Sequence, residues 1–553
     1  MTAAGLALAA AGFVVVLAGR LHVLLHLFQL EHYEPARLRV WVERRGERVD
    51  RRELVGILLV GAGMVVLPGV SPAAVLALGV VAAVAGTSIG LSVLRRDQIK
   101  PLDFTPRARR LYVTALALPL IAFAGVTAAG IVGLGPTGAA VEGLAVALVS
   151  HVMAPELLTL ANTLIKPIQA LDNRRFERQA RTRLAEIDPL VVGITGSYGK
   201  TTTKNCVAAV AELRGPAYPT PASFNSFLGV VRAINEGLQK RHRTFIAEMG
   251  AYRRGDVAEL CELVSPKIGI LTAIGPAHLE RFGSLDETEQ AKGELAEALP
   301  PDGALITRAD DERCRRAAQR SAAPVRLFAP FPHPDAHVWA EGAELRDGRT
   351  VFRLRTLGGD DEGVQVKARL LGEHNVANLV AAAGAGLEMG LPLDQIARAL
   401  AKVQPPPHRL APIVNAGAGV VVIDDAYNSN PEGAAAALSV LASHPAERRL
   451  LVTPGMVELG EREEEENRLF GERAAAVCDL IVLVGHQQTA PIRAGLESAG
   501  FPGEGLHVVA SAGEAQALLA RTTRRGDVVL FENDLPDLYQ ARAAAGDAAG
   551  SPA

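Results

Sequence analysis

The sequence predicts a helical, membrane-spanning first part followed by a larger α/β part. Five apolar runs crowd the first 161 residues, and short β-branched runs alternate with helical ones from Leu190 onward. A glycine-bearing stretch, "GSYGKTTTK", joins the first of those strands to a helix. Apolar residues make up 49% of the 553 and aromatic ones only 4%, which suits Ala/Val/Leu-rich helices as well as packed cores. The net charge of -3 provides no global basic field, so nucleic acid is not an expected partner. Cys206, Cys261, Cys314 and Cys478 are widely spaced without a CxxC pair, which fits a reducing cytoplasm rather than a disulfide framework.

The apolar runs are 2–19, 54–70, 72–94, 111–134 and 143–161. A helix needs about 20 mostly apolar residues to cross the hydrocarbon, so each run predicts a span. The first run lacks the basic flank of a signal peptide, and further spans follow it. Residues 20–53 hold eight Lys and Arg, 69–71 none, 95–110 six and 135–142 none. Basic residues stay on the cytoplasmic side, so the alternation places the N-terminus outside and everything after Ala161 in the cytoplasm. The predicted location is therefore a multi-pass cytoplasmic membrane protein. The fifth run carries His151, Pro155 and Glu156, placed either at the interface or as functional groups within the span. Residues 162–189 have amphipathic helical spacing and a basic face. They predict a juxtamembrane connector, either resting on anionic headgroups or simply solvated.

From Leu190 the pattern is that of a parallel α/β sheet. "LVVGIT" is the first strand and "GKTTTKNCVAAVAEL" the helix it feeds. Gly196 and Gly199 let the backbone wrap phosphates, with Ser197 and Thr202 completing the loop. The helix N-terminus adds partial positive charge, Lys200 reaches the outer phosphates, and Thr201 can hold Mg2+. Ile194 stands where the common G-x-x-x-x-G-K spacing has its first glycine.

The loop "GSYGKT" resembles the GTxGKT/S loop of the Mur ligases, which build the peptide stem of bacterial cell wall, and further matches follow in family order. "SFNSFLG" contains Asn225 and departs from the family at Ser226 and Phe227. "IAEMG" ends a strand on Glu248. "IGPAHLERFGSLDETEQAKGEL" carries His278 and Lys292, and "GEHNVANLVAA" carries His374, Asn375 and Asn378. "IDDAYNSNPEG" and "PGMVELG" resemble the D-alanyl-D-alanine-adding branch of the family most closely. The resemblance covers roughly residues 190–539.

The resemblance implies a central ATP-binding domain at 190–404 and a Rossmann-like C-terminal domain at 405–541, preceded by the membrane domain at 1–161 and the connector at 162–189. Residues 542–553 are expected to be a frayed tail. It implies ATP and Mg2+ as cofactors, with Thr201, Glu248, His278 and a carbamylated Lys292 around the metals. Asn375 and Asn378 would lie near adenine. Arg409, Asp425 and Tyr427 would close over the nucleotide from the C-terminal side, and Asn225, Asn428 and Asn430 would face the acceptor or the amine. Lys200, His278, Lys292, Arg409 and Asp425 form the expected catalytic set.

Joining a carboxylate to an amine in water is uphill, so the carboxylate would first become an acyl phosphate. Crowded negative charge must then be neutralised by positioned cations. The implied reaction is ADP-forming amide ligation of a muramoyl peptide, UDP-linked or lipid-linked, with D-Ala-D-Ala or a related amine, beside membrane lipid. Another Mur-type amino acid or polyglutamate ligase is the nearest alternative. An ATP-driven transporter would belong to a different class, but no LSGGQ-like signature or strand ending in Asp-Glu supports it. A scaffold with a degenerate ATP site is a further alternative. Two departures stand out: membrane runs replace the family's nucleotide-sugar-binding domain, and Glu532, Asn533 and Asp534 stand where a KGSR-type basic segment is expected to face substrate.

Overall fold

A computed structural model describes residues 3–31, 33–44, 102–133, 135–277, 279–346, 348–359, 362–415, 419–426 and 429–534. The chain divides into two compact units, one up to Asp172 and one from Asn173 to Leu535.

The first unit is helical: α1 (Ala3–Leu30), α2 (Pro35–Arg44), α3 (Pro106–Gly133), α4 (Gly135–Val152) and α5 (Ala154–Ile187), the last running on into the second unit. Tyr112 on α3 donates to the Ala18 carbonyl of α1 at 2.8 Å, and Phe13 stacks on Phe123 with centroids 6.0 Å apart. α1 and α3 contain stretches long and apolar enough to cross a membrane, Phe13–Leu30 and Pro106–Gly130. The expected first run lies on α1, which continues past it to Leu30 with Arg20 buried inside the helix. The expected second and third spans lie outside the described residues. The fourth falls on α3.

The fifth expected run falls on two helices. No straight helix covers 143–161, because α4 and α5 meet at a 77° bend around Met153. Pro155 has no N–H to offer the carbonyl four residues back, so the chain starts a new helix there. Average hydropathy cannot register such a change of direction. Nor is 162–189 a separate element, since α5 continues through it to Ile187.

The second unit holds two sheets. The larger runs β2-β3-β1-β4-β5-β6-β7-β8-β9, from β1 (Leu190–Thr195), β2 (Ala217–Pro219), β3 (Thr244–Glu248), β4 (Ile268–Leu271), β5 (Ala304–Arg308), β6 (Val325–Ala329), β7 (Val338–Arg346), β8 (Arg349–Thr356) and β9 (Val364–Ala368). It is parallel from β2 through β7 and antiparallel beyond. The smaller sheet, β10-β11-β15-β12-β13-β14, comprises β10 (Ala411–Asn415), β11 (Val420–Asp425), β12 (Arg448–Thr453), β13 (Leu480–Val484), β14 (Leu506–Val509) and β15 (Asp527–Glu532).

Crossover helices fill the faces. α6 (Lys200–Ala211) follows β1, α7 (Phe227–Gly237) precedes β3, α8 (Glu373–Glu388) lies across the larger sheet, and α9 (Pro431–Ser443) follows β11. The "AAAGAG" run of α8 permits close approach, since a Cβ on Gly386 would come within 2.7 Å of Val210 on α6. All four cysteines are buried and free, as the sequence reading anticipated.

Candidate active site

β1 lies between β3 and β4, so their C-terminal ends form one edge. In that edge the chain leaves β1 as the loop 196–199 and enters α6. Gly196 has φ 149, and a Cβ there would meet Thr272 Oγ1 at 2.0 Å; Gly199 has φ 76, and its Cβ would meet Asn378 Oδ1 at 2.2 Å. Both positions therefore require glycine. The Ser197 hydroxyl is tied to the Gly275 backbone at 3.0 Å, and its N–H donates to the Ala273 carbonyl at 2.7 Å. The loop is thus held in shape by protein contacts alone.

Lys200 folds back over this loop, donating to the Gly196 carbonyl at 2.6 Å. Burial lowers its pKa to about 8, against the raising influence of Glu248. Thr201 donates to Glu248 Oε1 at 3.2 Å, and Asn225 Nδ2 reaches the same oxygen at 3.2 Å. The expected loop, metal and acceptor residues thus share one network. Thr202 is buried beneath it.

Lys204 was not anticipated. It lies one helical turn beyond Lys200, 2% exposed, with Nζ 3.0 Å from Glu248 Oε2 and 2.6 Å from the Ala222 carbonyl. Burial would raise the Glu248 pKa, but Lys204, Lys200 and the hydrogen bond from Asn225 outweigh it and hold the carboxyl below its ordinary range. The i, i+4 spacing in "KTTTK" was the available signal.

Lys292 is 2% exposed, and its ammonium sits 5.4 Å from the Phe282 ring centre. Burial, with Lys200 nearby, pushes its pKa well down. His278 lies outside the described residues. Among those described, no three His, Cys, Asp or Glu side chains gather as a metal cluster. The Thr201 hydroxyl and the Glu248 carboxylate do fit Mg2+, which binds through one or two protein oxygens and takes its remaining ligands from phosphates and water.

Asn375 and Asn378 are committed inside the protein. Asn378 Nδ2 donates to Asn375 Oδ1 at 2.9 Å, and Thr203 donates to Asn378 Oδ1 at 3.0 Å, locking α8 behind the phosphate loop. Beside them a cavity of about 440 Å³ opens between Glu373, His374, Phe331, Glu432 and Ser439, within the size range of small-molecule sites. Burial, aided by Arg409, lowers the His374 pKa to about 4.

Arg409 also perturbs Lys200 and Asp425 electrostatically, so these groups are close neighbours. His408 stands where the family has glycine and adopts φ 59, with its ring 2.8 Å from Asp424. Burial raises the Asp425 pKa to about 6, although it accepts from the Leu410 N–H at 3.0 Å. Tyr427 and Asn428 lie outside the described residues. Asn430 caps α9 by accepting from the Gly433 N–H at 2.9 Å.

Glu532 departs from expectation. It is 1% exposed at the end of β15, in register with Asp425 on β11, and accepts from Thr453 at 2.9 Å and from Ser429. Its carboxyl is thus enclosed by protein groups. Asn533 takes φ 67 and donates to the Gly455 carbonyl at 2.6 Å; only Asp534 of the three is exposed.

Comparison with known proteins agrees with this geometry. Residues 194–386 match the Mur ligase middle domain and 408–532 the glutamate ligase domain of Mur ligases. The UDP-N-acetylmuramoyl-tripeptide--D-alanyl-D-alanine ligase of Mycobacterium tuberculosis is 36% identical over 365 residues, 62% of this chain and 70% of that one. Its Escherichia coli counterpart is 34% identical over 313 residues, 55% of this chain and 66% of that one. The crystal structure of MurF from Acinetobacter baumannii superposes with TM-score 0.58 at 27% identity, covering 68% of this chain and 80% of that one. The chain belongs to the Mur ligase family, whose members are ATP-dependent, ADP-forming amide ligases.

Proposed function

We propose that this protein is a membrane-anchored ligase that activates the terminal carboxylate of a UDP-linked muramoyl tripeptide with ATP and joins it to D-Ala-D-Ala. The convergence of Lys200, Thr201 and Glu248 on a preformed phosphate loop carries the reading, and the similarity to D-alanyl-D-alanine-adding ligases supports its substrates.

In this reading the loop amides and Lys200 hold the β- and γ-phosphates, and Lys200 exchanges its contact with the Gly196 carbonyl for phosphate oxygen. The Thr201 and Glu248 oxygens would hold Mg2+, which when bound offsets the repulsion between phosphate and carboxylate. His278 and a carbamylated Lys292 would hold a second metal ion; burial favours the neutral amine that reacts with carbon dioxide. The cavity beside His374 would take the adenosine, and Arg409, Asp425 and Tyr427 would contact the nucleotide. The acceptor carboxylate attacks the γ-phosphorus and releases ADP. The amine, placed near Asn225 and the 428–430 loop, then displaces phosphate.

The apolar stretches on α1 and α3, and the bent α4–α5 pair, support a membrane domain, and the alternation of basic residues between the apolar runs supports a catalytic unit in the cytoplasm. Incubating detergent-purified protein with ATP, Mg2+, UDP-linked or lipid-linked muramoyl tripeptide and a panel of amines tests the reading by product mass. The UDP-linked acceptor with D-Ala-D-Ala should give the amide and ADP. Product only with another amine, or only with the lipid-linked acceptor, would reject it.

A further inference from the structure

Among the described residues, α5 carries a face that no neighbour covers. At 100° per residue, Leu160, Leu164, Ile168 and Leu171 fall within a sector roughly 80° wide, and all four are exposed. Arg175, Arg178 and Thr182 continue in the same sector, exposed in turn. One helical face thus changes from apolar to cationic along its length, as in helices that lie in a bilayer interface.

Beside the cationic half lies a groove of about 670 Å³, walled by α5 and the end of α7. Arg183 clamps the two together, donating to the Leu238 and Asn235 carbonyls at 2.7 and 2.8 Å. Arg175, Arg178 and Lys240 line the groove, with Glu186 as an acidic neighbour. None of these three cations forms an ion pair among the described residues. Elsewhere on this unit surface arginines are commonly paired, as in Arg232–Glu236, Arg254–Glu287 and Arg316–Glu289.

The groove also has a definite position relative to the chemistry. Glu186 and Lys240 come just before β1 and β3, whereas the phosphate loop and Glu248 come at the ends of those strands. Parallel strands of five or six residues, about 3.3 Å each, put the groove on the opposite edge of the sheet from the ATP site. It is therefore no part of the acceptor site.

We propose that the Arg175–Arg178–Lys240 groove and the adjoining face of α5 dock on the phosphate headgroups of an anionic leaflet. The proposal rests on the membrane anchoring put forward above. Cationic residues near an anionic surface each add to the attraction, and the apolar stripe supplies the insertion that a soluble phosphate would not need.

All four native cysteines are buried, so Gln179→Cys offers a single exposed thiol for a fluorophore on the full-length chain. The labelled protein is placed in phosphatidylcholine nanodiscs with and without phosphatidylglycerol, together with a headgroup-quencher lipid. Quenching should be stronger with phosphatidylglycerol and should fade at high salt. The triple variant R175E/R178E/K240E should weaken docking about 100-fold while leaving turnover of the UDP-linked acceptor unchanged. Equal quenching in both lipids, or quenching insensitive to charge reversal, overturns the proposal. So does displacement by millimolar inorganic phosphate, which would assign the groove to a free anion. Release of the chain by alkaline carbonate wash would instead reject the anchoring, and selective quenching would then be read on vesicles of the same two compositions.

Discussion

Lys204 Nζ stands 3.0 Å from Glu248 Oε2, and both side chains are 2% exposed. The pair ties α6 to the end of β3 directly under the proposed Mg2+ position. Breaking a buried pair by removing one partner strands the other charge, so Lys204→Met should cost about 3–5 kcal/mol of stability. Adding Glu248→Gln should restore much of it. Urea unfolding of both variants measures this, and a loss under about 1 kcal/mol in the single variant would show that the pair carries little weight.

Glu532 sets a pH dependence. Burial raises its pKa from 4.5 to about 7 despite hydrogen bonds from Ser429 and Thr453. The folded state therefore holds more protons than the unfolded one between those values. The stability this confers is complete below about pH 4.5 and is lost as pH rises through 7, on the order of 3 kcal/mol. Glu532→Gln should remove that decline. Unfolding midpoints at pH 5 and pH 8 test it, and identical slopes in the two proteins would count against the assignment.

Gly199 faces Asn378 so closely that Gly199→Ala collides with its side-chain oxygen and also strains a φ of 76. Nucleotide affinity should fall by roughly 100-fold. Asn378→Ala in the same background relieves the collision but not the backbone strain, so recovery should be partial. Calorimetric titration with ADP distinguishes these outcomes.

Lys292 is buried with no carboxylate in ion-pair reach among the described residues. Protein equilibrated with 13C-labelled carbon dioxide should show a carbamate resonance that Lys292→Arg abolishes, together with most activity. Full activity without that resonance would exclude the modification.

Much of the site was legible because its chemistry is local in sequence. The phosphate loop, its glycines and Thr201 lie within six residues, and Glu248 ends an apolar strand. What escaped depends on packing. Lys204 has no local signal for its partner, which ends another strand, and strand register, not composition, buries Glu532 beside Asp425. The hydrogen bonds that Asn375 and Asn378 make to Leu371 and to each other depend on the packing of α8 and have no sequence signal. In the helical first unit, apolar length was legible, but the turn between α4 and α5 was not.

The central claim is that Lys200, Thr201 and Glu248 serve phosphoryl transfer to a carboxylate. The most direct measurement uses UDP-muramoyl tripeptide labelled with 18O in the reacting carboxylate, with ATP, Mg2+ and D-Ala-D-Ala. Passage through an acyl phosphate predicts a single 18O atom in the released inorganic phosphate for each amide formed. Phosphate released without the label, or ADP released without amide, would contradict it.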